Sequence, residues 1–162
     1  MYSPGSVSQL FKVSLHHIKN STVNVSATAS MLELKNMSFR AGKDLKITGV
    51  PKGDALSFSI NVGHSEDSIA LHFNPRFDFG GDQNVIVCNS KQDGCWSDEH
   101  REGNFPFQLG EEFKMTISFD NDEFRIKLPD DHVINFPNRL GDDKYKHINV
   151  QGDVRINSFK MK

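Results

Sequence analysis

Apolar and polar residues alternate in short runs from Leu32 to the C-terminus. Leu32, Leu34 and Met37 open an apolar strand. The segment Leu45-Lys46-Ile47-Thr48-Gly49-Val50 alternates cleanly, and Phe58, Ile60 and Val62 alternate with Ser57, Ser59 and Asn61. Such a period of two is the mark of a half-buried β-strand. Ile69, Leu71 and Phe73 resume the core face, and Val85-Ile86-Val87-Cys88 forms a further strand. Phe113, Met115, Ile117 and Phe119 are followed by a turn at Asp120-Asn121-Asp122 and by Phe124, Ile126 and Leu128, a β-hairpin pattern. Val133 to Phe136, Ile148 to Val150 and Val154 to Ile156 complete the set. Turn clusters lie between the runs, as at Pro51-Lys52-Gly53-Asp54, and Phe77 to Asn84 reads as a long loop around Gly80-Gly81-Asp82. No stretch carries a 3.6-residue period. Short strands separated by turn signals predict an all-β fold, a jelly-roll-like antiparallel sandwich of two sheets.

Composition narrows this reading. A chain of 162 residues suits one domain with a real core. Thirteen Phe supply large rings for two inner sheet faces. The formal charge of −2, with Lys and Arg scattered and no basic run, gives no electrostatic case for nucleic acid or for a membrane surface. No apolar stretch approaches the ~20 residues of a membrane-spanning helix. Cys88, inside an apolar run, reads as a buried inert thiol, and Cys95 beside Trp96 as an exposed one. Residues 1–31 differ: rich in Ser, Asn, Val and Thr, they read as a mobile N-terminal extension, with 32–162 as the functional domain. Lys12 interrupts the only apolar patch of that extension, which argues against a signal peptide.

The candidate chemistry lies on one strand. A period of two puts His72, Asn74 and Arg76 on the face opposite Leu71 and Phe73. Three adjacent polar groups cannot all be core; they are either solvated sheet surface or a binding row. Trp96, the single tryptophan, sits among Cys95, Ser97, Asp98 and Glu99, a polar setting for a core anchor. An exposed indole makes a flat platform for an apolar ligand face. Glu99 and Arg101 share a parity that Trp96 does not, so convergence of the three requires a bulge or turn. Glu99 is placed to bridge Arg76 and Arg101, with Asp82 as a further carboxylate. As plain surface ion pairs these would contribute little; as a locked network they would aim spare donors and acceptors at a ligand. Imidazole, amides, guanidinium groups and an indole together fit a polyhydroxylated ligand with one apolar face, a sugar. No cofactor is predicted, and His64, His72 and His100 lack metal-ligand spacing.

The runs His72-Phe-Asn74-Pro-Arg76-Phe, Ile86-Val-Cys-Asn89-Ser, Trp96-x-x-Glu99-x-Arg101, Phe105-Pro-Phe107, Phe136-Pro137-Asn138-Arg139-Leu140 and the terminal Ser158-Phe159-Lys160-Met161-Lys162 resemble the galectin carbohydrate-recognition domain. The resemblance covers Leu32 to Lys162. It implies a non-enzymatic lectin that binds β-galactosides and cross-links glycoconjugates as a homodimer. On this chain it implies that His72, Asn74 and Arg76 bond the axial 4-hydroxyl of galactose and that Asn89 and Glu99 hold the 6-hydroxyl. Trp96 would stack on the sugar, and Arg76, Glu99 and Arg101 would reach the neighbouring ring. It further implies a cytosolic protein exported without a signal peptide. Gly80 stands where many single-domain members carry a histidine, and Ser97 replaces their usual glycine. A structural or protein-interaction relative without sugar binding is the alternative. A glycosidase built on Glu99 and Asp82 is disfavoured, because a carboxylate beside arginines suits an acceptor and not a general acid.

Overall fold

The structure is a computed structural model that describes residues 22–26 and 31–162. Two antiparallel sheets face each other. The first carries β1 (Thr22–Ser26), β2 (Met31–Arg40), β4 (Phe58–Ser65), β5 (Ser68–Phe79), β6 (Asp82–Gln92), β7 (Cys95–Trp96), β8 (His100–Glu102) and β12 (Lys144–Gly152). Its order is β1-β2-β12-β4-β5-β6-β7, with β8 also pairing β6. The second sheet takes β3 (Leu45–Pro51), β9 (Phe113–Phe119), β10 (Glu123–Lys127), β11 (Val133–Pro137) and β13 (Val154–Met161), in the order β11-β10-β9-β3-β13. The chain changes sheet after β2, β3, β8, β11 and β12, and the expected two-sheet sandwich is the observed one.

The alternating positions explain why these segments are strands. Leu45 and Ile47, Met115 and Ile117, Phe124 and Ile126 all turn inward and are buried. Aromatic rings fill the space between the sheets: Phe39 meets Phe119 edge-on at 4.9 Å, and Phe58 stacks on Phe113 at 5.6 Å. Cys88 lies in this core, where burial pushes its thiol up to about 12. Cys95 is exposed.

Two features depart from the sequence expectation. The loop expected over 77–84 is a continuous hairpin: β5 runs to Phe79 and β6 begins at Asp82. Gly80 and Gly81 alone make the connection, with φ of +61° and +83°. Two successive positive φ values match the twist of the flanking strands, so a Gly-Gly pair closes the turn without lengthening it. A side chain at Gly80 would be strained there and would come within 3.3 Å of Arg76 Nη1. Strand β1 falls within the stretch expected to be an extension; it pairs with β2, Thr22 opposite Lys35 and Ser26 opposite Met31. The rest of that expectation, 1–21 and 27–30, lies outside the described residues.

Candidate functional site

Strand register sets the site. On the outer face of the larger sheet, Asn61 of β4 lies opposite His72 of β5, and His72 opposite Asn89 of β6. One step along, Asn74 is opposite Val87, and Val87 opposite Arg101 of β8. Lys91 pairs with Trp96 of β7. Because directly paired residues share a face, these groups converge on one side of the sheet. Of these, His72, Asn74, Val87, Asn89 and Trp96 line a groove of about 510 Å³, together with Phe58.

His72, Asn74, Arg76, Asn89, Trp96 and Glu99 all line this groove. Arg101 stands behind it and donates to Glu99 Oε2 at 2.8 Å. Trp96 is half exposed, with 50% of its surface open, and its ring centre lies 4.7 Å from that of His72. The indole is therefore a wall and not a core anchor. The expected break between Trp96 and Glu99 is present, since β7 ends at Trp96 and β8 begins at His100.

The deep end of the groove is a chain of hydrogen bonds. Asn61 Nδ2 donates to Asn149 Oδ1 at 2.6 Å, which turns Asn61 Oδ1 toward His72 Nδ1, also at 2.6 Å. This network assigns the His72 proton to Nδ1 and leaves Nε2 as an acceptor. Burial, helped by the positive charges of Arg76 and Lys91 and opposed by Glu99, lowers the His72 pKa from 6.5 to about 4. The ring is neutral at pH 7. Asn74 Nδ2 donates to the Phe58 carbonyl at 2.7 Å, while its Oδ1 accepts from Arg76 Nε at 2.9 Å. Each of these side chains is thus held by a partner that leaves one polar position open.

The bridging carboxylate differs from the expected one. Asp82, not Glu99, joins the two arginines: Arg76 Nη1 donates to Oδ2 at 2.7 Å and Arg101 Nη1 to Oδ1 at 2.6 Å. Glu99 bonds Arg101 alone among these. The reason is the tight hairpin, which sets Asp82 opposite Phe79 and brings its carboxylate beside Arg76. Hydrogen bonds from Arg101 and then Arg76 hold the Asp82 carboxyl below its usual range. The carboxylate is ionised, which suits an anchor for guanidinium groups and not a general acid.

Three contributors were not singled out from sequence. Asn61 fixes the His72 tautomer; its parity on β4 was the available signal, but only the register shows that it faces His72. Arg139 donates to Ser90 Oγ at 3.0 Å, to Asn89 Oδ1 at 3.3 Å and to the Asp98 carbonyl at 2.9 Å. It therefore braces both Asn89 and the irregular 97–99 segment. Phe79, 48% exposed, borders the groove with the Arg76 guanidinium 5.3 Å above its ring. Among the described residues no group of His, Cys, Asp and Glu is arranged to hold a metal ion.

Comparisons with known proteins point to one family. A family model described as galactoside-binding lectin matches residues 30–161. The beta-galactoside-binding lectin of Electrophorus electricus is 50% identical over 128 residues, 79% of this chain and 95% of that protein. Congerin II, solved with lactose and MES bound, is 41% identical with a TM-score of 0.79, covering 82% of this chain and 99% of that one. CG-16, described as a homodimeric agglutinin from chicken liver, is 42% identical with the same TM-score of 0.79 and the same coverage, 82% and 99%. The match of fold and sequence across the whole sandwich places this chain in the galactoside-binding lectins, the galectin family.

Proposed function

We propose that the groove binds β-galactosides such as lactose and N-acetyllactosamine, without chemical turnover, and that a dimer of the chain cross-links glycans bearing them. The observation that carries this reading is the hydrogen-bond complement at the deep end. His72 Nε2 offers an acceptor, the second hydrogen of Asn74 Nδ2 a donor, and Arg76 Nη2 further donors. A hydroxyl donates once and accepts twice. One hydroxyl that donates to His72 and accepts from Asn74 and Arg76 satisfies all three groups and itself.

The axial 4-hydroxyl of galactose is such a group. Its axial direction also leaves a continuous C–H face on the opposite side of the ring, which the exposed Trp96 indole covers. Glucose, with an equatorial hydroxyl, would leave the buried donors and acceptor without partners, at a cost of about 1–3 kcal/mol. Selectivity then comes mainly from penalising the wrong epimer. The 6-hydroxyl reaches Asn89 and Glu99. The second ring lies toward Arg76, Glu99 and Arg101, with Phe79 as an apolar edge.

Two sites per dimer supply avidity that one shallow groove lacks. Strand β1 ends the larger sheet and has a strand neighbour on one side only among the described residues; CG-16, which shares this fold, is homodimeric. The free thiols Cys88 and Cys95 suit synthesis in the cytosol, followed by signal-independent export; blocking the classical secretory route should leave its release into the medium unchanged. The function is tested on lactose-agarose. The protein is retained and free lactose elutes it, while Trp96→Ala flows through. Retention that lactose does not reverse would overturn the proposal.

A further inference from the structure

The smaller sheet turns a second, chemically different face to solvent. The charged residues of its five strands are Lys46 on β3, Lys114 on β9, Glu123, Arg125 and Lys127 on β10, and Arg155 and Lys160 on β13, with none on β11. That is six cations and one anion in a chain of formal charge −2. The six cations are exposed, while their strand neighbours Ile47, Met115, Ile126, Ile156 and Phe159 fill the core.

Register concentrates four of these cations. Lys160 lies directly opposite Lys46, Lys46 opposite Thr116, and Thr116 opposite Lys127. The row crosses four strands, roughly 14 Å at the usual strand spacing. The next row is Ser158, Thr48 and Lys114. Together they line a groove of about 360 Å³.

Arg125 is neutralised by Asp120 and Glu123, and Lys127 meets Asp131 at 3.3 Å. The side chains of Lys46, Lys114 and Lys160 have no ion-pair or hydrogen-bond partner among the described residues. Like charges placed directly opposite each other destabilise a sheet. Lysines on an edge strand guard against aggregation, which accounts for Lys160 on β13. It does not account for Lys46 and Lys114, whose strands β3 and β9 each have neighbours on both sides.

We propose that this face binds a sulfated polysaccharide chain. Sulfate esters are permanent anions with several acceptor oxygens, which compact ammonium groups on flexible stems can follow. The interleaved hydroxyls of Thr48, Thr116 and Ser158 supply bonds to the hydroxyls between sulfates. Nucleic acid fits less well, since no aromatic or arginine side chain lines the groove to stack on a base. The site lies on the sheet opposite the galactoside groove and does not depend on what that groove binds. One domain would then hold a galactoside on one face and an anionic chain on the other.

Heparin is the probe. The full chain should stay on a heparin column at physiological salt, and saturating lactose should not release it. The double variant Lys46→Gln/Lys160→Gln should bind heparin about tenfold more weakly, with a shallower salt dependence, and keep its retention on lactose-agarose. The variant Lys43→Gln/Lys144→Gln loses the same charge away from the row and should bind heparin as the parent does. Four results would overturn the proposal: no retention at physiological salt, release by lactose, equal weakening in both variants, or tighter binding of duplex DNA than of heparin.

Discussion

The two ends of the proposed galactoside groove are built on different terms. At the deep end Asn74 and Asn89 are 6% and 4% exposed, and each side chain is fixed by a backbone or side-chain partner. At the open end Arg101 and Glu99 keep 45% and 42% of their side-chain surface in solvent, although they are joined by a 2.8 Å ion pair. A polar group stranded in the buried region forfeits its solvation, whereas one at the open end turns back to water. Discrimination between ligands should therefore concentrate at His72, Asn74 and Arg76, and tolerance of varied second sugars at Glu99 and Arg101.

Substitutions can break this contrast. Asn74→Ala leaves Arg76 Nε without its acceptor and removes a donor to the ligand. It should weaken lactose binding by about 2–3 kcal/mol, some 30- to 150-fold, in calorimetric titration. A loss of a fewfold would erase the distinction between the ends. Asp82→Asn acts through its partners: with the carboxylate charge gone, Arg76 and Arg101 are no longer held by one anchor. Binding should fall by less than in Asn74→Ala but by more than in Arg101→Ala, because Arg76 belongs to the deep end. Arg101→Ala alone should cost only a few-fold for lactose, since the Arg101 side chain is itself 45% exposed and solvent replaces it.

The pH dependence tests the same contrast. His72 must be neutral to accept a hydrogen bond, and burial keeps its pKa at about 4. Lactose affinity should hold steady down to pH 5 and drop as pH falls through about 4. The unfolded chain binds this proton near 6.5 and the folded chain only near 4. Between those values the unfolded state carries more protons, so the ligand-free protein loses stability as pH falls from 6.5 toward 4. Thermal melts across that range should show the decline, and His72→Gln should flatten it. An affinity that changes around pH 6.5 would mean that His72 is solvated like a surface histidine.

Much of this is legible in the sequence alone. Alternation alone placed Leu45, Ile47, Met115, Ile117, Phe124 and Ile126 inside, and strand parity put His72, Asn74 and Arg76 on one face. Both inferences rest on local geometry that a strand cannot evade. What escaped the sequence depends on which strands become neighbours. Asp82 rather than Glu99 bridges the arginines because two glycines close a hairpin that residue counting took for a loop. Asn61 and Arg139 reach the site from β4 and from the turn after β11, positions that no spacing along the chain connects to His72 or Trp96. The lysines of the smaller sheet, at 46, 114, 127 and 160, form no run in the sequence, and only antiparallel register lines them up.

The central claim is that the deep end recognises one axial hydroxyl. Titration of the intrinsic Trp96 fluorescence with lactose and with cellobiose, which differ only in the orientation of the 4-hydroxyl on the non-reducing ring, addresses it directly. The account predicts saturable quenching or a spectral shift with lactose and at least roughly a tenfold weaker response to cellobiose. Comparable affinities for the two disaccharides would contradict it.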